Sequence, residues 1–527
     1  MKMLHSSIEP LEARIAPATL VGNVLSYTDI DGDLVKVTFK NATMSGGEFT
    51  FSTGSANDGV DTPRTLDDIN MGGKDGASFT LTATPHAGQG DSHANVASIF
   101  ANIATSLGKV KVDGDVGAIT GLPGERISVD SFSALSMGVA NSPGSPSSSY
   151  LAIGGTFSVK GSVENAFVNF AAGVKSFSIG GNLGSPTAPA GVRIEGAVGS
   201  FTVGGSIIGQ GTTQSVVLGT TGAFRVGGSI IGSPDNLDSS RHQIDLFSAK
   251  SIAIGGDLRG SSGTGGGSIV DTGTTATVKI GGSMIGGRDT DRSGSFYGSS
   301  VGSFTIGHDL VNNVIGRALY ENGTILLSGN LGSLKIGGDI IAAGISAPST
   351  LATINVDGTI GTLSVGGSIL GGANHSIYIV AGGTGLDKGV PAIKSINVKQ
   401  NVELARIVAG YSGFGTALTQ HNTDAGIGSI VIGGNLTGTQ IDVGSATGSD
   451  GVPGTKDDAL ISTSLARLDG IKIGGALTGI AGDPDTYYVQ APVIKKATIG
   501  KASYSEAQLH GYRDFNAIGK AAIGGLA

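Results

Sequence analysis

The chain has no cysteine and no tryptophan, and each gap removes chemistry. Without cysteine there are no disulfides, no thiolate zinc sites and no thiol nucleophile. Aromatic residues make up only 5%, so stacking platforms for sugar rings are poorly supplied. Charged residues are 14% of the chain, well under the usual quarter or so. The net charge of −8 comes with no basic run, which argues against nucleic acid as a partner. No apolar run approaches the ~18 residues that cross a bilayer, so no transmembrane segment is expected. Residues 1 to 18 also lack the apolar centre of an ordinary signal peptide. Nucleophile elbow, P-loop and zinc-protease helix motifs are all missing.

What the chain has in abundance is glycine, 92 of 527 residues. The glycines keep no three-residue period and the apolar residues recur regularly, so neither collagen nor disorder fits. One stretch organises the rest: Ser-Phe-Thr-Val-Gly-Gly-Ser-Ile-Ile-Gly at Ser200–Gly209. It returns at Ala223–Gly232, Ser251–Gly260, Thr277–Gly286, Ser333–Ile341, Thr362–Gly371 and Ser429–Gly438, among others. Ahead of each glycine pair stand two apolar residues around a polar one, as in Phe201-Thr202-Val203 and Val278-Lys279-Ile280. That is period two, a strand with one buried face. The glycines then turn the chain at low steric cost. A polar position follows (Ser206, Ser229, Asp257, Ser283, Asp309, Asp339, Ser368, Asn435), then an apolar one (Ile207, Ile230, Leu258, Met284, Leu310, Ile340, Ile369, Leu436). A third apolar piece precedes many repeats, as at Val216–Leu218, Ile244–Leu246, Ile325–Leu327 and Ile354–Val356.

First glycines from Gly154 to Gly366 are 23 to 30 residues apart, and later motifs at Lys399, Gly433 and Gly474 are 33 to 41 apart. A fixed core of varying length describes short stacked strands with loops of different size on the corners. The expected fold is therefore all-β: a right-handed parallel β-helix, a three-faced β-solenoid with a small N-terminal β cap domain. Stacked about 4.8 Å apart, a dozen repeats would run roughly 60 Å. A propeller is the competing architecture, but its blades need about 40 to 50 residues each. The expected boundaries are an N-terminal motif at 1–18, a β unit at 19–107, the parallel β-helix at 108–500 and a C-terminal cap at 501–527. Within the β unit, Leu25, Tyr27, Val35, Val37 and Phe39 alternate around Asp29–Asp33 as a hairpin. Glu48–Ser52 and Ser78–Ala83 are further strands, and Ala94–Leu107 has the spacing of a short helix.

The segment Ile8–Pro17 resembles the N-terminal LEPR-XLL motif of exported and surface repeat proteins of planctomycete-type bacteria. Leu11, Glu12 and Arg14 match it, while Ala13 stands at the proline and Ala16-Pro17 at the paired leucines. The glycine-pair repeats and Ala409–Ile473 are similar to the repeat regions of such proteins. The resemblance implies an extracellular or cell-surface bacterial protein and supplies no catalytic residues.

Three Asp-rich loops have ligand spacing for calcium, the one cofactor the sequence suggests. Asp29, Asp31 and Asp33 alternate like the start of a calcium loop, without the bidentate Glu of an EF-hand. Asp289 and Asp291 repeat half of that pattern, with Ser300 where the Glu would be. Asp450, Asp457 and Asp458 put three carboxylates in one glycine-rich loop. For each, the competing reading is a solvated turn. His86, Asp91 and His93 also lie close in sequence, in a turn-rich segment. Asp245 and Asp271, with His242, are the nearest approach to a catalytic carboxylate pair. The expected function is a non-catalytic, exported structural or adhesive protein of the cell surface or extracellular matrix. Its expected partners are surface or matrix components or further copies of itself. A polysaccharide-active enzyme or carbohydrate-binding protein on a pectin-lyase-like β-helix is the alternative. One residue beyond the inward Ile/Leu position, Ile208, Ile231, Ile285, Val311, Ile341 and Leu370 predict an apolar stripe. Either the chain covers it, or a partner docks there.

Overall fold

The structure is a computed structural model describing residues 17–526 apart from 54–62, 87, 103–104, 122–126, 141–146, 210–215, 233–242, 262–265, 288–291, 314–321, 344–352, 373–374, 414–417 and 516–518. Leu11, Glu12 and Arg14 of the N-terminal motif, His242, Asp289 and Asp291 lie outside the described residues. Among the described residues the chain is nearly all β, with mostly parallel pairing; its helical structure is two 3-10 turns, Gly46–Glu48 and Glu506–Gln508. It forms two compact units, Met1–Asn182 with Val192–Ala197, and Leu183–Gly191 with Val198–Ala527.

The first unit begins antiparallel. Val24–Thr28 pairs with Asp33–Lys40, and that strand pairs with Ser78–Pro85. Leu25, Tyr27, Val35, Val37 and Phe39 are all buried, as the hairpin alternation requires. Pairing then turns parallel. Leu66–Asn70 joins Val96–Phe100, which joins Ser106–Thr120, and Ile127–Met137 and Ser147–Val159 follow. The expected helix at Ala94–Leu107 is thus a strand, Val96–Phe100. Its helical spacing loses to parallel neighbours on both sides, which bury Val96 and Ile99 in register. Phe132, Phe157 and Phe177 stack face to face in successive repeats at 5.0 and 4.9 Å.

In the second unit the register reproduces the sequence repeat position by position. Phe201 pairs with Phe224, Phe224 with Ile252, Ile252 with Val278, and Val278 with Phe304. The series continues through Leu334, Leu363, Ile396, Ile430 and Ile471. These side chains are buried, whereas Lys279 is exposed and Thr202 half-buried. A second parallel ladder runs from Ile207 through Ile230, Leu258, Met284, Leu310, Ile340, Ile369, Val402 and Leu436 to Leu477. A third joins Val216–Leu218 to Ile244–Leu246 and onward. Ile325–Leu327 and Ile354–Val356 are buried along their whole length, so here the third ladder is covered on both faces. Near the end some pairing reverses: Lys496–Ile499 pairs antiparallel with Ala502–Ser505, occupying a strand edge, while Lys520–Gly525 pairs parallel with Thr486–Gln490.

The polar position after the glycine pair has a specific task. Each side-chain oxygen accepts the backbone N–H of the equivalent residue in the next repeat. Ser206 Oγ takes it from Ser229 at 3.0 Å, Ser229 Oγ from Asp257 at 2.9 Å, and Asp257 Oδ1 from Ser283 at 2.8 Å. Ser283, Asp309, Asp339, Ser368, Asn401 and Asn435 continue the chain of bonds as far as the Ala476 N–H. Only Ser, Asp, Asn or a similar short oxygen-bearing side chain fits.

The glycine pair is explained by the same ladder. Neither Gly337 nor Gly338 has a positive φ, so turning is not what demands glycine. A Cβ on Gly337 would lie 1.9 Å from the Gly307 carbonyl oxygen, and one on Gly338 would lie 2.0 Å from Asp309 Oδ1. Gly227 and Gly228 meet the Gly204 carbonyl and Ser206 Oγ at 2.1 and 2.3 Å in the same way. At these corners successive repeats approach too closely for a side chain, whereas His308, Lys399 and Gln400 carry exposed side chains at the equivalent positions of other repeats.

A second polar file lies inside the protein. Ser295 N–H donates to Ser268 Oγ, and Thr324 N–H to Ser295 Oγ. Further along, Asn312 Nδ2 donates to Thr353 Oγ1 at 3.3 Å, and Asn312 Oδ1 lies 2.9 Å from His375 Nε2. Since the Asn312 oxygen only accepts, His375 is the Nε2–H tautomer. Its Nδ1 is buried without a partner. Burial pushes the His375 pKa down to about 4. The six residues of the expected apolar stripe are all half-buried, each flanked by its ladder neighbours, as Ile208 is by Ile231. They are neither covered nor laid bare as a continuous exposed face.

Asp309→Ala should cost about 1.5 to 3 kcal/mol, the range for a hydrogen bond to a charged group. Gly338→Ala should be strongly destabilising alone but much less so in the Asp309→Ala background, because the obstructing oxygen is then gone. Additive losses in a urea-denaturation cycle would refute this link between the glycine and the ladder. Phe201→Ala, which removes a ring stacked 5.2 Å from Phe224, should cost about 3 to 5 kcal/mol.

His375 generates a pH dependence. With its folded pKa below the ordinary 6.5, the folded state takes up fewer protons than the unfolded one, so stability is full above about pH 6.5 and falls toward pH 4. The loss should be on the order of 3 kcal/mol from this group. His375→Gln should flatten that part of the urea-midpoint profile; an unchanged slope would remove His375 as its origin.

Candidate functional sites: two carboxylate clusters and a cleft

Ser445–Ala446 and Ala459–Leu460 pair as a short antiparallel ladder, and the Asp-rich loop closes it. Gly451 and Gly454 supply positive φ values of 68° and 78°, where a side chain would be strained. The loop brings Asp450, Asp457 and Asp458 together, with oxygens within 4.8 Å of one another. Thr455 Oγ1 lies amid them, 2.7 Å from Asp457 Oδ1 and 3.3 Å from both Asp450 Oδ1 and Asp458 Oδ1. Backbone donors serve the same groups. Gly448 donates to Asp458 Oδ1 at 3.1 Å, Gly454 and Thr455 to its Oδ2 at 2.6 and 3.2 Å, and Asp450 N–H to Asp457 Oδ2 at 3.2 Å. Hydrogen bonds from Thr455 and Ser449 hold the Asp457 pKa down at about 2, while burial raises that of Asp458.

This loop lies over the third ladder. Val452 packs on the cluster of Tyr378, Val380, Val408, Tyr411 and Leu418, and Gln440 Nε2 donates to the Thr455 carbonyl at 3.1 Å. Beside it opens a cleft of about 660 Å³ lined by Glu403, Arg406, Asp450, Lys456, Asp483, Asp485 and Tyr487, among others. Lys456 pairs with Asp485 at 2.5 Å, and Tyr487 donates to Asp483 Oδ2 at 2.7 Å. The Arg406 guanidinium sits 4.9 Å over the Tyr378 ring and donates to its hydroxyl. Below the loop, fully buried Asp442 is held by Gln490 Nε2, and burial followed by the nearby Asp458 charge raises its pKa well above the ordinary value. Sequence reasoning passed over Asp442 because it occupies a strand position that is outward-facing in earlier repeats.

The second cluster is at the N-terminal hairpin. Asp29, Asp31 and Asp33 each place an oxygen within 4.8 Å of the others. Asp29 Oδ1 accepts from Gly32 and Asp33 N–H at 3.1 and 2.7 Å. Burial, together with a hydrogen bond to Asp31, pushes Asp29 up to about 7, and that bond lowers Asp31. Of the histidine group, Asp91 and His93 join this cluster through their backbone N–H groups, both 3.1 Å from Asp33 Oδ2. His86 is exposed and bridges Gln89 instead.

The pair Asp245 and Asp271 does not assemble. Asp245 is in register with Val270, and Asp271 with Leu246, so the two carboxylates point to opposite faces of neighbouring strands. Asp271 points inward, bonded by the Thr275 hydroxyl, and burial raises its pKa. Among the described residues no helix is long and apolar enough to cross a membrane. Comparison with protein-family models, curated proteins and solved structures finds no match to the chain.

The bonding of Asp458 makes it the brace of its loop. Asp458→Asn should lower the urea midpoint, by about 2 kcal/mol in stability, and speed limited proteolysis within residues 447–458. Asp457→Asn, at an exposed position, should do much less. Equal proteolysis of Asp458→Asn and the parent protein would deny Asp458 that role.

Proposed function

We propose that this chain is an exported, non-catalytic right-handed parallel β-helix with three faces, serving as a structural or adhesive scaffold at a bacterial cell surface or in an extracellular matrix. The observation that carries the reading is the unbroken register of the ladders, together with where chain length varies. Every repeat from Phe201 to Ile471 keeps its place, while the added residues fall at corners, after the short second-ladder strand in the earlier repeats, as between Ile231 and Gln243, and after the third-ladder strand in the later ones, as between Val443 and Arg467. A constant core with variable loops is the pattern of a presenting scaffold. Right-handedness is supported by the twist of parallel crossovers, and the three faces by the three ladders. The N-terminal resemblance supports export, and the partners would be surface or matrix components or other copies of the chain.

A specific observation favours the second reading, a carbohydrate-active or carbohydrate-binding β-helix. The 660 Å³ cleft gathers Glu403, Asp450, Asp483 and Asp485 with Arg406 and Tyr487, a polar set able to hydrogen-bond sugar hydroxyls. The two readings separate experimentally. Protease shaving of intact producing cells should release fragments of the chain, and purified protein should leave polysaccharides uncleaved. Protection until lysis would sink the surface assignment. Glycan binding or cleavage abolished by Arg406→Ala would move the assignment to the cleft.

A further inference from the structure

We propose that Asp29, Asp31 and Asp33, with His93, form a single divalent-cation site, filled by calcium, that fastens the tip of the N-terminal hairpin to the segment before Val96–Phe100. The acidic spacing is only the starting point. Asp33 is 0% exposed, and while its Oδ2 accepts two backbone N–H groups, its Oδ1 is buried with no hydrogen-bond partner. A carboxylate oxygen removed from water and left without a partner is stabilised in a folded protein when a cation meets it. The second observation comes from the other segment. His93 Nδ1 is likewise buried and unpartnered. His93 lines, with Asp29, Asp31 and Asp91, a cavity of about 180 Å³, large enough for an ion and its water. Asp31 is exposed, giving the cavity a carboxylate at its mouth through which an ion could be handed in.

The residues fit calcium. Hard carboxylate oxygens dominate, and the site has room for water to complete a flexible shell. Gly90 takes a φ of 97°, and a Cβ there would lie 1.9 Å from Asp33 Oδ1, so this segment is shaped to approach that carboxylate closely. Arg64 also lines the cavity, with its guanidinium 5.6 Å from the centre of the Phe51 ring. The ion would join parts of the chain about 60 residues apart, across the step from antiparallel to parallel pairing. This proposal does not depend on the scaffold reading.

Terbium luminescence on the full-length protein tests it. The chain has no tryptophan, so sensitised emission must come from a tyrosine, and Tyr27 lines this cavity. Its hydroxyl has no partner, so Tyr27→Phe removes the antenna without breaking a hydrogen bond. Emission should appear on adding terbium, be displaced by calcium, and fall several-fold in Tyr27→Phe and in Asp31→Asn. It should persist in Asp457→Asn. Calcium should also raise the melting temperature of the parent protein and not of Asp31→Asn, whose exposed position leaves the fold intact. Emission lost in Asp457→Asn but kept in Asp31→Asn would place the ion elsewhere and overturn the proposal, as would the absence of calcium-displaceable emission from the parent protein.

Discussion

The hydrogen bond from one repeat's backbone N–H to the previous repeat's corner side chain is the constraint on which the second unit depends. Strand ladders fix the spacing of neighbouring repeats, and at each corner the glycine-pair N–H groups still reach backbone carbonyls, but the N–H that follows the pair finds no such partner and is left to a side chain. Between Ser206 and Ala476 that vacancy is filled by one side-chain oxygen per repeat. Each bond is worth little by itself, about 0.5 to 3 kcal/mol depending on charge. Repetition makes it structural, because a repeat slipped by one residue would leave its corner donor unpaired and turn its apolar residues outward.

The corner bond in turn dictates composition. An oxygen placed to reach the next repeat occupies the space where that repeat's second glycine would carry a Cβ, as Asp309 does for Gly338. The first glycine is excluded from bearing a side chain by a carbonyl instead. Much of the chain's glycine is therefore a consequence of stacking distance. The departures are instructive as well: Lys399 and Gln400 replace a glycine pair with both residues exposed, and the Asn401 N–H still reaches Ser368 Oγ, at a longer 3.4 Å.

The later repeats use their extra length differently. Where intervals grow to 33 residues and more, the added chain lies back over the third ladder, and the residues beneath become Tyr378, Val380, Val408 and Asp442, all buried. The loop is pinned by carboxylates that accept from its own N–H groups, notably Asp458. The cleft beside it inherits Arg406, Lys456 and the Asp483–Tyr487 pair. Long loops, in this chain, create both the second covering layer and the cleft beside it.

The sequence by itself determined the repeat, the inward positions and the register, because apolar alternation and the glycine pair are local signals that survive variation in loop length. Phe201, Ile252 and Leu334 fell into one ladder on spacing alone. It also located Asp29, Asp31 and Asp33, and Asp450, Asp457 and Asp458, since their carboxylates lie within single loops. What crossed between segments was decided only by the tertiary structure. Val96–Phe100 is a strand because Leu66–Asn70 and Val116–Thr120 flank it. Asp245 and Asp271 face apart because parallel register shifts them by one residue. Asp91 and His93 meet Asp33 because the hairpin tip reaches a segment about 60 residues away, and Asp442 is a buried acid because Gln490, 48 residues on, meets it beneath the loop that follows its own strand. Periodicity records how each strand divides its two faces; which segments come to lie against those faces is set by packing.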